Sequence, residues 1–172
     1  MVNNWIEQLK QLTSIATTEL QAAYSGFTAG FKHKMTYYIR TIPNLSANLK
    51  PLDEEIDNKF IPAITEGHHC SDDERRLLSL PVRLGRLGIP ILSELCEREY
   101  DNSIKATEQL AGRIQAQLSA YDIDWDRQKE IEKLIRKARQ EHEEKTLEEM
   151  SKKMSRYCLR ANDLAQMKGA SA

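Results

Sequence analysis

Residues 80–90, with the sequence Leu-Pro-Val-Arg-Leu-Gly-Arg-Leu-Gly-Ile-Pro, constrain the fold of this chain more than any other stretch. They include two of its five prolines and two of its seven glycines, the residue types that most restrict or release the backbone. The sequence on both sides has helical periodicity, so we expect no helix to run through this stretch. We predict a turn that sets how two helical halves of the protein meet.

Apolar residues recur at steps of three and four along most of the chain, which is the period of an amphipathic helix. The first such stripe begins at Val2 and ends at Ala16. A second stripe follows a cap at Thr17 or Thr18 and runs towards Ile39. Glycine and proline are too scarce for a loop-rich sandwich or barrel. We predict an all-α, thumb-like multi-helix bundle with an extended charged C-terminal helical tail.

Capping residues and prolines predict where the remaining helices begin and end. The expected features in the first half are an N-cap at Asn48 with Pro51 in the first helical turn, and a capping box formed by Ser71 and Glu74. In the second half we expect a helix over residues 93–118, with a break near Thr107 or Gly112. We also expect a charged helical segment from Trp125, which a second capping box, Thr146 with Glu149, divides into two helices. Each of these boundaries depends on local chemistry alone.

Charge and cysteine content narrow the functional classes. The net charge of −1 means that any nucleic-acid contact must come from a local patch. The three cysteines are scattered and odd in number, which favours a reducing compartment over a disulfide framework. The sequence has no signal peptide and no apolar run of the roughly 18 residues that a membrane span needs. We expect an intracellular protein, cytoplasmic or nuclear, without a membrane partner.

The sequence has none of the common catalytic or cofactor-binding patterns, such as a P-loop, GxGxxG or HExxH. His68, His69 and Cys70 are adjacent, but adjacent residues rarely all reach one ion and no second pair follows at zinc-site spacing. The many acidic residues between Pro51 and Glu74 are interpreted as a solvated face that repels phosphate. We therefore predict no catalytic residue, no cofactor and no metal site.

One helix combines basic and aromatic residues in a way that is typical of nucleic-acid contacts. Basic side chains can hold a phosphate backbone, and interleaved aromatic rings can stack on bases or sugars. The residues concerned are Lys32, Lys34, Tyr37, Tyr38 and Arg40. A solvated helix end is the alternative, because the helix dipole favours cations near the C-terminus.

Eight short sequence segments are QAAYSGFTAG (residues 21–30), TYYIRTIP (36–43), LKPLD (49–53), FIPAIT (60–65), CS with ER (70–75), LLSLPVRLG (77–85), LGI (87–89) and KGAS (168–171). In this order and at this spacing, they resemble segments of reverse-transcriptase-like proteins encoded by retroelements of invertebrates, including corals and their relatives. The resemblance spans nearly the whole chain. It covers the region after the polymerase palm, and no Tyr-x-Asp-Asp motif of the palm is present.

The resemblance implies a helical thumb and connection, which in such enzymes grip the template–primer duplex by its backbone. On this implication Lys32, Lys34 and Arg40 contact phosphates, while Tyr37 and Tyr38 stack or pack. The reading frame begins well inside the usual protein, so we expect a fragment without polymerase activity.

The turn in residues 80–90 contains a departure from the related proteins, which typically have Leu-Gly-Gly-Leu-Gly where this chain has Arg86 in place of the middle glycine. Arginine would be strained there if the position required a positive φ. Two interpretations remain open: Arg86 is an added cation beside Arg83 on a nucleic-acid face, or it marks relaxed selection.

We divide the chain into a thumb-like helical region (residues 1–66), the central turn with its connection helices (67–120) and a charged helical tail (121–172). The leading hypothesis is a non-catalytic reverse-transcriptase-like fragment that contacts template–primer through the parent polymerase. The alternatives are a helical protein-interaction module that pairs with itself or another chain through the charged tail, and a relic without a function of its own.

Overall fold

The computed structural model describes residues 1–118 and 123–153, and this part of the chain is helical, with no β-strand. The all-α prediction is therefore confirmed. No helix in the described ranges is long and apolar enough to cross a bilayer. The part of the predicted charged tail that follows residue 153 lies outside the described residues.

The described residues contain eight α-helices: the first seven supply side chains to one main core, and the last packs on a smaller cluster. Their bounds are α1 Val2–Ala16, α2 Leu20–Gly26, α3 Lys32–Thr41, α4 Ser46–Glu55, α5 Ile61–Ile64, α6 Asp72–Ser79, α7 Leu92–Gln115 and, within the second described range, α8 Trp125–Lys153. A π-helical turn, Phe27–Phe31, joins α2 to α3, and a second, Ile56–Phe60, joins α4 to α5. Buried residues from Trp5 to Cys96 form a single cluster, so the predicted regions 1–66 and 67–120 share one core.

The two π-helical turns face each other inside this core. The rings of Phe27 and Phe60 stack with their centroids 4.8 Å apart, and both side chains are fully buried. The second turn ends two residues before Pro62, whose missing N–H removes one bond of the α-helical pattern. Wider π turns commonly absorb such an interruption without ending the helix.

Residues 80–90 form the predicted turn. Gly85 and Gly88 have φ values of 71° and 65°, a left-handed conformation that glycine adopts without steric cost. The N–H of Gly88 donates to the Leu80 carbonyl at 2.8 Å, which closes the loop. Arg86 does not have a positive φ, so the backbone strain considered for this position is absent.

Side chains from three helices bind the end of this turn through the carbonyl groups of residues 87–90. Tyr24 Oη donates to the Leu87 carbonyl at 2.6 Å, and Lys32 Nζ donates to the Gly88 carbonyl at 3.0 Å. The Arg75 guanidinium donates to the carbonyls of Ile89 and Pro90, at 2.7 and 3.0 Å. Buried carbonyl groups need such partners because unsatisfied ones are costly.

Part of the acidic segment is structural, and its interpretation as a solvated face was wrong for Asp53 and Glu74, which are buried. Asp53 is buried, and its two carboxylate oxygens accept from the N–H groups of Leu92 and Ser93 at 2.8 Å each, at the start of α7. Asp57 forms an ion pair with Arg75. Glu74 completes the predicted capping box with Ser71, an arrangement that satisfies two orphan donors.

Several predicted helix boundaries were wrong because local signals were overruled by packing. Thr17 and Thr18 hydroxyls donate to carbonyls at the end of α1 instead of capping α2. Helix α4 begins at Ser46 instead of after Asn48, helix α7 has no break, and Thr146 lies inside α8, where its hydroxyl donates to the His142 carbonyl at 2.9 Å.

Replacing Arg75 with methionine should lower the free energy of unfolding by about 3 kcal/mol, since it leaves buried carbonyls and the partly buried Asp57 without their partner. Arg76 is the matched control, because its side chain is 50% exposed whereas that of Arg75 is 7% exposed. Urea unfolding followed by circular dichroism measures both variants. Equal midpoints for Arg75→Met and Arg76→Met would contradict this account of the turn.

Candidate anion-binding cleft

A cleft of about 730 Å³ opens between α3, α7, α8 and the turn formed by residues 80–90. Helix α3 contributes Lys32, His33, Thr36 and Arg40, which lie on one side of the helix because they are three or four residues apart. The turn contributes Leu80, Pro81, Gly88 and Pro90. The most distinctive sequence stretch and two of the three predicted basic residues of α3 therefore meet at one site.

The structure separates the predicted nucleic-acid residues of α3. Lys32 and Arg40 line the cleft, whereas Lys34 lies about 200° around the helix from Lys32, at 100° per residue. Its Nζ donates to Gln8 Oε1 of α1 at 3.1 Å. Lys34 thus belongs to a different surface from the cleft.

The two tyrosines also differ in their surroundings. Tyr38 packs against the buried indole of Trp5, with ring centroids 5.0 Å apart. Tyr37 is exposed and touches the edge of Tyr38, at a centroid distance of 5.4 Å. Neither tyrosine lines the cleft.

The two arginines of the turn make internal contacts. Arg83 forms an ion pair with Glu143 of α8. Arg86 is buried, and its Nη1 donates to the neighbouring Gly85 carbonyl at 3.2 Å. Neither residue lines the cleft.

Glu99 of α7 connects three helices at the floor of the cleft. Arg40 of α3 donates to its Oε2 from Nε and Nη2, at 3.1 and 3.0 Å. Arg139 of α8 donates from Nη2 to both carboxylate oxygens, at 2.8 and 2.9 Å. The Glu99 side chain is only 5% exposed, and a buried carboxylate needs such partners.

Sequence reasoning missed Arg98 of α7, which also lines the cleft. Its Nε is buried without a hydrogen-bond partner among the described residues. It lies close to His142, whose pKa is lowered first by burial and then by the Arg98 charge. Burial also lowers the pKa of Lys32, an effect that nearby Glu143 opposes. Neither Lys32 nor Arg98 forms an ion pair with a carboxylate among the described residues.

The sequence shows that the α8 residues of the cleft share one face of a helix, but it does not show that this face lines a cleft. Its lining residues are Arg139, His142, Glu143, Thr146, Glu149 and Met150, which recur at helical steps. A single sequence does not say which other helix such a face meets. Met150 is buried against Leu77 and Leu80, and this contact holds α8 beside the turn.

Comparison with known protein families, curated proteins and solved structures found no match to this chain.

Proposed function

We propose that this chain is the helical region after the palm of a retroelement reverse-transcriptase-like protein, and that it holds the backbone of a template–primer duplex without catalysing a reaction. The sequence segments that carry this resemblance include most of the turn in residues 80–90, and this turn lines the cleft. The phosphates of the duplex are the expected ligand groups, because cations that position a nucleic acid contact mainly its backbone.

The balance of charge in the cleft carries the proposal. The carboxylates that line it are Glu94, Glu99, Glu143 and Glu149. Each has a basic partner. Glu94 pairs with Arg76 at 3.7 Å, and Glu149 pairs with Lys145 at 3.9 Å. Glu99 pairs with Arg40 and Arg139, and Glu143 pairs with Arg83. Arg98 and Lys32 lie outside these pairs, so a phosphate group there would meet unneutralised positive charge.

Arg98 is the most direct test of this site, because removing its charge breaks no hydrogen bond among the described residues. Arg98→Gln should weaken binding of a labelled template–primer duplex. The slope of log affinity against log salt should fall by about 0.9 if one phosphate contact is lost. Fluorescence anisotropy at several salt concentrations measures both quantities.

The control is Lys50→Gln, which removes the same charge from an exposed position on α4, outside the cleft. Binding that is absent at low salt would rule out the nucleic-acid proposal. Equal slopes for Arg98→Gln and Lys50→Gln would show that binding depends on general charge instead of this cleft.

Glu99→Gln should separate stability from binding, because Glu99 neutralises Arg40 and Arg139 inside the cleft. Losing this charge should lower the free energy of unfolding by about 1 to 2 kcal/mol. It should also tighten duplex binding, since two arginines become available for phosphate. Urea unfolding and anisotropy measure the two effects. Weaker binding by a folded Glu99→Gln protein would contradict the proposed role of the cleft.

An exposed apolar stripe on α7 favours a second candidate function, the self-association of the chain. Ile104, Leu110 and Ile114 fall within about 120° of the helix surface at 100° per residue, and all three are exposed. Leu118, just beyond the helix, is exposed as well. An apolar stripe of this kind is a typical helix–helix contact surface.

If the stripe pairs two copies of the chain, Ile114→Glu should convert a dimer to a monomer in light scattering across a concentration series. Val82→Glu is the control, since Val82 and Ile114 have similar exposure, 64% and 67%, at different places on the surface. A wild-type protein that remains monomeric at all concentrations would exclude this candidate.

A further inference from the structure

Three side chains with different metal-ligating atoms meet at the start of α6, away from the cleft. His68, Cys70 and Glu74 bring an imidazole nitrogen, a thiol sulfur and a carboxylate oxygen within 4.8 Å of one another. His68 is exposed, Cys70 is half-buried and Glu74 is buried, so the group lies at the protein surface with one side open to solvent.

The sequence argument against a metal considered His68, His69 and Cys70, which are adjacent. The fold changes this set, because the first turn of α6 brings Glu74 back to the loop before it. His68 Nε2 lies 3.4 Å from Glu74 Oε1. In a tetrahedral zinc site with bonds of about 2.0 to 2.3 Å, neighbouring ligand atoms are roughly 3.3 to 3.8 Å apart.

The two carboxylate oxygens of Glu74 are used differently. Oε2 accepts from the Ser71 N–H at 2.9 Å and from the Ser71 hydroxyl at 3.1 Å, as part of the capping box. Oε1 faces His68. The capping box therefore orients Glu74 while leaving one oxygen for a ligand, as outer contacts of metal-binding carboxylates commonly do.

We propose that His68, Cys70 and Glu74 bind a Zn²⁺ ion. A mixed set of imidazole, thiolate and carboxylate suits zinc better than magnesium or calcium, which prefer oxygen ligands alone. Three protein ligands leave a fourth tetrahedral position for a water molecule or a donor group from a partner. The three ligand atoms lie within 4.8 Å of one another, so the pair that is farthest apart needs to approach by at most about 1 Å to reach zinc-site spacing.

The surroundings can accommodate the added charge. Arg75 acts electrostatically on Cys70, but its guanidinium forms an ion pair with Asp57 and donates to the carbonyls of Ile89 and Pro90. Burial, followed by the Glu74 charge, raises the pKa of the Cys70 thiol to about 11, so the metal must displace a proton when the thiolate binds.

Titration of the full chain with Zn²⁺ by calorimetry should give one site per chain, and bound Zn²⁺ should raise the thermal unfolding midpoint. Co²⁺ serves as a spectroscopic substitute, since a Co²⁺–thiolate bond gives a charge-transfer band in the near ultraviolet. Cys70→Ser should abolish that band. His68→Gln and Glu74→Gln should each weaken Zn²⁺ binding by more than the roughly 10- to 100-fold typical of losing an outer contact.

Neighbouring residues of the same type are the matched controls. His69→Gln, Cys96→Ser and Cys158→Ser should retain both the band and the affinity. If Cys70→Ser fails to fold, His68→Gln still tests the site, because its side chain is half exposed. A Co²⁺ band that survives Cys70→Ser, or affinity that depends on His69 as much as on His68, overturns the proposal, as does the absence of Zn²⁺ binding by the wild-type chain.

Discussion

The hydrogen bonds to the carbonyl groups of residues 87–90 are the interaction on which the rest of this structure depends. Their donors, Tyr24, Lys32 and Arg75, come from α2, α3 and α6. Directly afterwards, Asp53 of α4 accepts from the first N–H groups of α7. Four helices therefore fix a short stretch of irregular backbone, which in turn sets where α7 begins and in which direction it runs.

This arrangement links the fold to the cleft. Lys32 both binds the Gly88 carbonyl and lines the cleft, so one cation has a structural and an electrostatic role. Glu99 also has both roles, because it lines the cleft and joins α3, α7 and α8 through two arginines. Ion pairs occupy Arg40, Arg76 and Arg139 among the described cations that line the cleft, and Arg98 and Lys32 lie outside these pairs.

The sequence predicted the fold class and the turn well, because these depend on signals carried by neighbouring residues. Gly85 and Gly88 adopt the left-handed conformation that their residue type permits, and Ser71 with Glu74 forms the expected capping box. Candidate site residues were harder to predict. Lys32 and Arg40 line the cleft, but Arg83 pairs with Glu143 and Arg86 is buried. Whether an arginine is free depends on partners that are tens of residues away in the chain.

The sequence by itself determined that this chain is helical, that residues 80–90 interrupt the helices and that basic and aromatic residues share α3. Period, capping and backbone preference are local properties, so one sequence is enough to establish them. Only the tertiary structure decided that Asp53 caps α7, that Glu74 faces His68 and that Arg98 and Lys32 line the same cleft. These contacts join residues that are distant in the chain or lie on helix faces whose partners the sequence does not name. The packing of the shared core sets their distances.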